Sequence, residues 1–373
     1  MRKDRRRKVG PASGATAEAP SPPRPPRRRR ASPRRQVPDG GTFEMAGREF
    51  APGTTTRFEL PIAPLPSQAE LSMPIVVVRG VRPGPRLFVT SGIHGDELNG
   101  VASLTLVQGD VRAEDLAGTL VMLPFVNHLG LIHQSRYFPD RRDLNRSFPG
   151  SKRGTLAART AYFLMKEVAG RCTHGIDLHT AAVHRDNLPQ VRADLSHPLT
   201  RRLARAFGAP VMIHSRLRDG SFREAAASHR VPMLLFEGGE ALRAGRPAIR
   251  CAHEGVLRVM EAIGMRPSGL PRAKKPFESW ATTWVRSPRS GFAFLDVDLG
   301  DRVRKGQTIG AVVMGRGSAY GEFRTRVRAP CHGIVIGIAR NPLVLEGDAF
   351  VHIAERGRSA SVAADENALR DTE

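Results

Sequence analysis

The stretch LFVTSGIHGDEL, residues 87–98, decides the fold, because an apolar run ends there in a cluster of polar side chains. The run at residues 87–91 predicts a buried β-strand, and His94, Asp96 and Glu97 follow it closely. In open α/β sheets, ligands bind beyond the carboxyl ends of the strands. We therefore expect a sheet of this class, with a functional site at the end of this strand.

Short apolar runs alternate with amphipathic stretches along the chain from about residue 74. This pattern predicts strands that alternate with helices, and therefore an α/β fold with a largely parallel or mixed sheet. The predicted strands are residues 74–78, 87–91, 120–125, 175–178, 211–214 and 233–236, and the predicted helices are residues 155–168, 199–207 and 248–263.

The pattern changes near residues 264–284, where three prolines interrupt the periodicity and predict a linker. Glycine-punctuated short apolar runs follow, with no helical window, and they predict a small all-β module. The expected organisation is an Arg/Pro-rich tail at 1–40, a catalytic α/β domain at 41–283, a β-rich module at 284–355 and a polar tail at 356–373.

The net charge of +22 is unevenly distributed over the 373 residues. The first 40 residues contain 13 Lys and Arg against 3 Asp and Glu, so nearly half of the excess lies there. This segment has almost no large apolar side chains and is predicted to be disordered. Nucleic acid is therefore not expected as a partner, since the basic excess is a property of the tail.

Two further observations exclude classes of protein. The longest apolar stretches are a few residues long, far short of the roughly 20 that a membrane-spanning helix needs, so no membrane partner is expected. Three widely spaced cysteines without a C-x-x-C motif indicate neither a disulfide framework nor a zinc ribbon. A reducing cytoplasm fits this cysteine usage best.

His94 and Glu97 are three residues apart, so one turn can direct an imidazole and a carboxylate at one point. His179, at the end of another apolar run, supplies a third candidate ligand. A His/Glu/His set with one open position is typical of catalytic zinc sites, whereas structural sites usually have four ligands rich in cysteine. The alternative is chance, because an isolated H-x-x-E is common and a histidine at a strand end is often a hydrogen-bonded surface residue.

Two other segments carry candidate chemistry. The loop RYFPDRRDLNRSFPG, residues 136–150, contains four arginines, and a guanidinium suits the bidentate binding of a carboxylate. The alternative is a solvated basic loop. In MLLFEGGE, residues 233–240, an apolar strand ends at Glu237, which could act as a general base or could be an N-cap or loop acid.

In this order, the motifs G-x-H-G-D-E, R-D-L-N-R-x-F, D-L-H-T and E-G-G resemble the succinylglutamate desuccinylase/aspartoacylase family, relatives of the zinc carboxypeptidases. The resemblance covers about residues 70–265. The run at 140–150 and the segment LPQVR at 188–192 are similar to the bacterial deacylase branch. The resemblance implies a carboxypeptidase-like mixed sheet flanked by helices, with one zinc per subunit bound by His94, Glu97 and His179.

The resemblance also implies roles for other residues. Glu237 corresponds to the general base that later acts as the acid, and Asn145 and Arg146 correspond to the pair that binds the substrate carboxylate. The family places an arginine before this pair to polarise the scissile carbonyl. Arg136 matches its sequence context, but its spacing to Asn145 is longer than expected, and Arg142 competes for the role.

The C-terminal module resembles the barrel-sandwich of biotinyl and lipoyl domains, through GDRVRKGQ at 300–307 and APCHGIV at 329–335. A carrier domain presents a modifiable lysine on a hairpin tip, and the corresponding region near residues 314–320 has none. We therefore expect a structural or site-shaping module rather than a swinging arm.

The function expected from the resemblance is zinc-dependent hydrolysis of a linear amide C–N bond in a small N-acylated amino acid. Two alternatives stay open at this point: a zinc carboxypeptidase that removes C-terminal residues from peptides, and a catalytically idle binding protein. A homo-oligomer is also left open.

Overall fold

The structure is a computed structural model that describes residues 42–315, 321 and 323–356. The tail predicted at 1–40 and all but the first residue of the tail predicted at 356–373 lie outside the described residues. The hairpin tip near 314–320 is also largely outside them.

Ten strands and six α-helices precede residue 263 in the described part of the chain. The strands are β1 (Phe43–Met45), β2 (Arg48–Phe50), β3 (Thr54–Pro64), β4 (Glu70–Arg79), β5 (Arg82–Ser91), β6 (Ala117–Leu123), β7 (His174–Ala181), β8 (Arg185–Ala193), β9 (Val211–His214) and β10 (Met233–Glu240). The helices are α1 (Asn99–Asp110), α2 (His128–Ile132), α3 (Leu156–Phe163), α4 (Pro198–Phe207), α5 (Phe222–Ser228) and α6 (Arg246–Ala262).

A mixed sheet forms the centre of the fold, as the sequence predicts. Strands β6, β5, β7 and β10 are parallel neighbours in that order. Strands β4 and β3 extend one side in antiparallel pairing, and β8 pairs antiparallel with β10 on the other. Parallel strands are buried on both faces, which explains the continuous apolar runs LFV in β5 and MLLF in β10.

Helices cover both faces of this sheet. On one face, a hydrophobic cluster joins the strands to α1, α4 and α6 through residues such as Leu104, Phe207 and Val256. On the other face, Ala161 of α3 and Phe222 of α5 belong to a second cluster. Among the described residues, none of the helices is long and apolar enough to span a membrane.

From residue 277 to 355 the described chain contains strands and no helix. These strands are β11 (Phe277–Ser279), β12 (Thr282–Arg286), β13 (Gly291–Leu295), β14 (Arg302–Val303), β15 (Thr308–Met314), β16 (Phe323–Arg328), β17 (Gly333–Ala339), β18 (Leu343–Val344) and β19 (Ala349–Glu355). The all-β structure expected after residue 284 is present. That these strands form a separate barrel-sandwich domain stays a prediction.

The C-terminal strands continue the central sheet. Strand β17 pairs antiparallel with β8, and β19 and then β12 follow it. Strands β16, β15, β13 and β18 form a separate four-stranded sheet, and β1 and β2 form a two-stranded one. The expected linker at 264–284 is therefore shorter than its prolines suggest, because β11 pairs with β9 and β12 pairs with β19.

Candidate active site

The turn between β5 and α1 carries His94 and Glu97. It packs directly on α2: a Cβ on Gly95 would lie 1.9 Å from the backbone carbon of Gly130, so only glycine fits there. His179 lies on the neighbouring strand β7, and the parallel pairing of β5 with β7 brings the turn beside it. The end of the strand at 87–91 is thus the place where these side chains meet, as the sequence predicts.

Glu97 lies between the two histidines. Its Oε1 is 2.6 Å from His94 Nδ1, and its Oε2 is 2.8 Å from His179 Nδ1. The backbone N–H of Thr180 also donates to Oε2, at 3.0 Å. All three side chains are buried, and their ligand atoms lie within 4.8 Å of one another. Two imidazole nitrogens and a carboxylate oxygen converging in this way fit a single zinc ion.

Two aspartates hold the far sides of the imidazole rings. His94 Nε2 is 3.2 Å from Asp143 Oδ1, and His179 Nε2 is 2.6 Å from Asp177 Oδ2. Thr90 Oγ1 donates to the other oxygen of Asp177 at 2.7 Å. Histidines that bind metals almost always have such a partner on the second ring nitrogen, because it fixes the tautomer and the ring orientation. The hydrogen bonds that hold the two histidines are therefore also those expected around a metal ion.

The charges of this cluster shift the pKa values of its members. Burial opposes ionisation of Glu97, but His94 and His179 outweigh it and hold the pKa of Glu97 far below its usual range. Burial lowers the pKa of His179, but Asp177 and Glu97 outweigh it and raise that pKa well above its usual value. The groups stabilise one another's charged forms in the absence of a metal, and a bound cation would take the place of the imidazole protons.

Asp177 is predicted to matter for metal affinity. Asp177→Asn should weaken zinc binding by roughly 10–100-fold, because the amide cannot match the carboxylate as an acceptor for His179. Thr90→Val, which leaves the carboxylate in place, should have the smaller effect. Competition with a fluorescent chelator measures both affinities, and equal affinities in Asp177→Asn and the parent protein would contradict the orienting role.

The arginine-rich loop reaches the cluster through Arg136. Its Nη2 donates to Asp143 Oδ2 at 2.9 Å, and its Nη1 lies 3.4 Å from Glu97 Oε1. Arg142 is instead exposed, and its Nε lies 3.9 Å from Asp140 Oδ2. The structure thus brings Arg136 to the cluster and leaves Arg142 at the surface.

The neighbouring Asn145 is buried beside the same aspartate. Its backbone N–H donates to Asp143 Oδ1 at 2.8 Å, and its side-chain oxygen accepts from the backbone N–H of Phe222 at 2.9 Å. The exposed Arg146 donates from Nη1 to the Asn145 carbonyl at 2.6 Å. Asn145 is fixed by two elements of the fold, with an exposed guanidinium next to it.

Glu237 of β10 lies directly opposite His179 of β7 in the parallel pairing. Its Oε2 accepts a hydrogen bond of 3.2 Å from Asn187 Nδ2 of β8. Burial raises the pKa of Glu237, against the opposing charges of Arg192 and His179. A glutamate with a raised pKa, placed beside a candidate metal ligand, is suited to take up a proton and to return it.

Three residues of this site are absent from the sequence-based prediction: Asp143, Asp177 and Asn187. Asp177 could have been found, because in D-L-H it is two residues before His179 on a strand and so shares its face. Asp143 belongs to the R-D-L-N motif but looks like any loop acid. Asn187 lies on β8, a strand that the sequence analysis does not predict.

A sequence model of the succinylglutamate desuccinylase/aspartoacylase catalytic domain matches residues 83–263. The chain is 27% identical over 252 residues to the N-alpha-acetyl-L-2,4-diaminobutyric acid deacetylase of Halomonas elongata, and this alignment covers 64% of the chain and 73% of the relative.

Solved structures resemble the chain over most of its length. A succinylglutamate desuccinylase/aspartoacylase from Rhodobacter sphaeroides superposes with a TM-score of 0.70 at 26% identity, covering 80% of this chain and 94% of that one. The product-bound ectoine utilization protein EutE (DoeB) of Ruegeria pomeroyi superposes with a TM-score of 0.72 at 23% identity, covering 81% and 95%. At 23% identity, the likeness to the Ruegeria pomeroyi protein concerns the fold alone.

Proposed function

The chain belongs to the succinylglutamate desuccinylase/aspartoacylase family through the catalytic domain at residues 83–263, and from this premise we propose that it is a zinc-dependent deacylase of small N-acyl amino acids. The observation that carries the proposal is the pair of histidines around Glu97, with Glu237 opposite His179 on the next strand. A zinc ion bound by His94, Glu97 and His179 would acidify a water molecule and polarise the scissile carbonyl.

Glu237 moves the proton in the proposed reaction. Since Oε2 accepts from Asn187, Oε1 is the oxygen that takes the proton of the attacking water. The pKa of Glu237, raised by burial, lets the same oxygen return the proton to the leaving amine as the C–N bond breaks. The products are a carboxylic acid and an amino acid.

Arg136, Asn145 and Arg146 position the substrate in this proposal. Asn145 and Arg146 bind its carboxylate. The buried hydrogen bonds of Asn145 fix the position of this residue relative to the substrate. Arg136, held by Asp143, stabilises the charge that develops on the carbonyl oxygen. Asp143 therefore connects the carbonyl-binding arginine to the metal ligand His94.

The comparisons support the proposed substrate class. The Halomonas elongata relative is named as a deacetylase of an N-acetylated amino acid, which supports an N-acyl amino acid as the substrate here. We also propose a cytoplasmic location, since the three cysteines at 172, 251 and 331 are widely spaced and include no C-x-x-C motif.

A substrate panel tests the proposed function. Purified, zinc-loaded protein is incubated with N-acetyl and N-succinyl amino acids and with short peptides, and release of primary amine is followed. We expect turnover of at least one acyl amino acid and none of the peptides. Turnover of peptides alone would replace the deacylase with a carboxypeptidase, and no turnover by zinc-replete protein would favour the idle binding protein.

The two candidate arginines provide a matched pair of variants. Arg136→Gln should lower kcat by about 10²–10³-fold, the usual cost of removing one donor to a developing oxyanion. Arg142→Gln should leave kcat within about twofold, because Arg142 is a surface residue paired with Asp140. Steady-state kinetics on one acyl amino acid, with zinc content checked for each protein, measures kcat for both variants and distinguishes the two arginines. The reverse pattern would transfer the carbonyl-binding role to Arg142.

A further inference from the structure

The four-stranded sheet of the C-terminal region has two faces of different character. Its strands lie in the order β16, β15, β13 and β18. Ala293, Val312 and Val327 point to one face and pack in the hydrophobic cluster of this region. Neighbouring residues of a strand point to opposite faces, so Phe292 and Phe294 belong to the other face. We call this other face the outer face.

Strand pairing shows which side chains share the outer face. Residues directly opposite one another in a sheet project their side chains from the same face. Two rows of such residues cross the sheet: the first consists of Arg324, Val313, Phe292 and Leu343, and the second of Arg326, Ala311 and Phe294. The outer face therefore has large apolar side chains on β13 and β18, smaller ones on β15 and arginines on β16.

The large apolar side chains of the outer face are in contact with solvent. Phe292 is 48% exposed, Phe294 61% and Leu343 57%. Leu345, two residues beyond Leu343, is 64% exposed. Since a whole aromatic side chain covers about 150–250 Å², these four side chains expose on the order of 400 Å² of apolar surface. Monomeric soluble proteins rarely expose a contiguous apolar patch larger than a few hundred Å², so we expect another surface to cover this one.

The charges around this apolar patch are divided between its two sides. Arg324, Arg326 and Arg328 are exposed along β16, which is one edge of the sheet. Asp296 and Glu346 are exposed just beyond the ends of β13 and β18. The outer face thus has an apolar centre, a basic edge on one side and carboxylates on the other.

This division of charge makes the outer face complementary to itself. When two copies of a sheet stack face to face around a two-fold axis parallel to the strands, their left and right sides are exchanged. The basic β16 edge of one copy then lies over the carboxylate side of the other. The phenylalanines of β13 lie over β15 of the other copy, where Ala311 and Val313 are smaller. Such stacking of two sheets, about 10 Å apart, is the packing of a β-sandwich.

The area of the outer face suits a stable pair of copies. A specific protein–protein interface buries about 800 Å² on each partner, and somewhat more than half of that area is apolar. The apolar patch, on the order of 400 Å², matches that apolar share. The arginines and carboxylates on either side correspond to the polar rim of an interface.

We propose that the outer face is the interface of a homodimer, in which the four-stranded sheets of two copies stack around a two-fold axis parallel to the strands. The apolar centre supplies most of the affinity, and the charged sides fix the orientation. A second copy is favoured over an acidic protein, a nucleic acid or an anionic membrane surface, because those partners would be repelled by Asp296 and Glu346. No residue of the proposed active site takes part, so this inference is independent of the deacylase.

Sedimentation velocity of the full chain, over a dilution series in 0.15 M salt, tests the interface. We expect the parent chain to be dimeric at about 10–50 μM, within the range of affinities of interfaces of this size. Phe294→Asp should weaken the association at least 100-fold, because the charge enters the apolar centre twice. Leu106→Asp alters an apolar residue of α1 that is 47% exposed, and as the matched control it should leave the dimer intact.

Two results of this experiment would overturn the homodimer: a parent chain that is monomeric at every concentration, or a Phe294→Asp protein that associates as tightly as the parent. If the parent forms a larger assembly, Phe294→Asp should halve its mass, and an unchanged mass would again overturn the interface. Circular dichroism checks that each variant is folded. Phe294 is exposed, so its replacement leaves the hydrophobic cluster in place.

Charge reversal tests the two-fold arrangement. An edge variant carries Arg324→Glu, Arg326→Glu and Arg328→Glu, and a side variant carries Asp296→Arg and Glu346→Arg. Each alone should be monomeric, because like charges would meet in both halves of the interface. Mixed in equal amounts, the two should form a 1:1 heterodimer, because every charged contact is then complementary. An edge variant that associates with the parent chain but not with the side variant would overturn this arrangement, because it would place the two β16 edges together.

Discussion

Glu237→Gln is expected to lower kcat by about 10²–10⁴-fold, the range that general acid–base catalysis contributes, with little change in KM or zinc content. The amide is nearly isosteric with the carboxylate and can still accept the hydrogen bond from Asn187 through its oxygen. The glutamine amide, however, cannot take up a proton from water. The loss should therefore be confined to the chemical step.

Glu240→Gln is the matched control for this substitution, since Glu240 is a half-buried glutamate three residues later in β10. It should retain activity within about twofold. Rate measurements at saturating substrate, with metal analysis of each protein, make the comparison. A Glu237→Gln protein with the kcat of the parent would remove Glu237 from the mechanism, and one that also lost its zinc would make it a metal-site residue instead.

His179→Ala is expected to lower zinc affinity by more than the roughly 10–100-fold cost of losing an orienting partner, and to reduce activity to background. The substitution removes one of the three proposed ligands. It also leaves the carboxylates of Glu97 and Asp177, both buried, without the imidazole that lies between them. A buried charge that loses one of its partners is destabilised, so the melting temperature should fall as well.

The neighbouring His184 provides the control, because it is exposed and lies five residues beyond His179 in the same region. His184→Ala should bind zinc and turn over substrate like the parent protein. Metal content after dialysis against a chelator, measured by mass spectrometry, distinguishes the two variants. Equal zinc retention in His179→Ala and the parent would show that the ion is bound elsewhere.

The sequence predicts the central sheet well because its strands are buried on both faces. All six predicted strands are present, with ends that differ by a few residues, and the predicted helices correspond to α3 with the π-helical turn that follows it, to α4 and to α6. Strand β8 is missed, because RDNLPQVRA contains a proline and several polar residues where a buried strand would be apolar. Those polar residues include Asn187, which donates to Glu237, and Arg192, whose charge lowers the pKa of Glu237.

The meeting of the three candidate ligands follows from motif and spacing, because parallel strands end at the same edge of a sheet. Their aspartate partners and Asn187 depend on pairings between distant segments, such as Asp143 with His94 across 49 residues. The continuation of the sheet through β17 also depends on a long-range pairing, between residues 187 and 337. Short-range periodicity carries no information about such contacts.

Zinc titration of metal-stripped protein, followed by the rate of amine release from an N-acyl amino acid, tests the central claim most directly. We predict that the rate rises linearly with added zinc and reaches a plateau at one zinc per chain, since the cluster of His94, Glu97 and His179 can hold one ion. A rate that does not depend on zinc, or a break at two ions per chain, would contradict the proposed one-zinc deacylase.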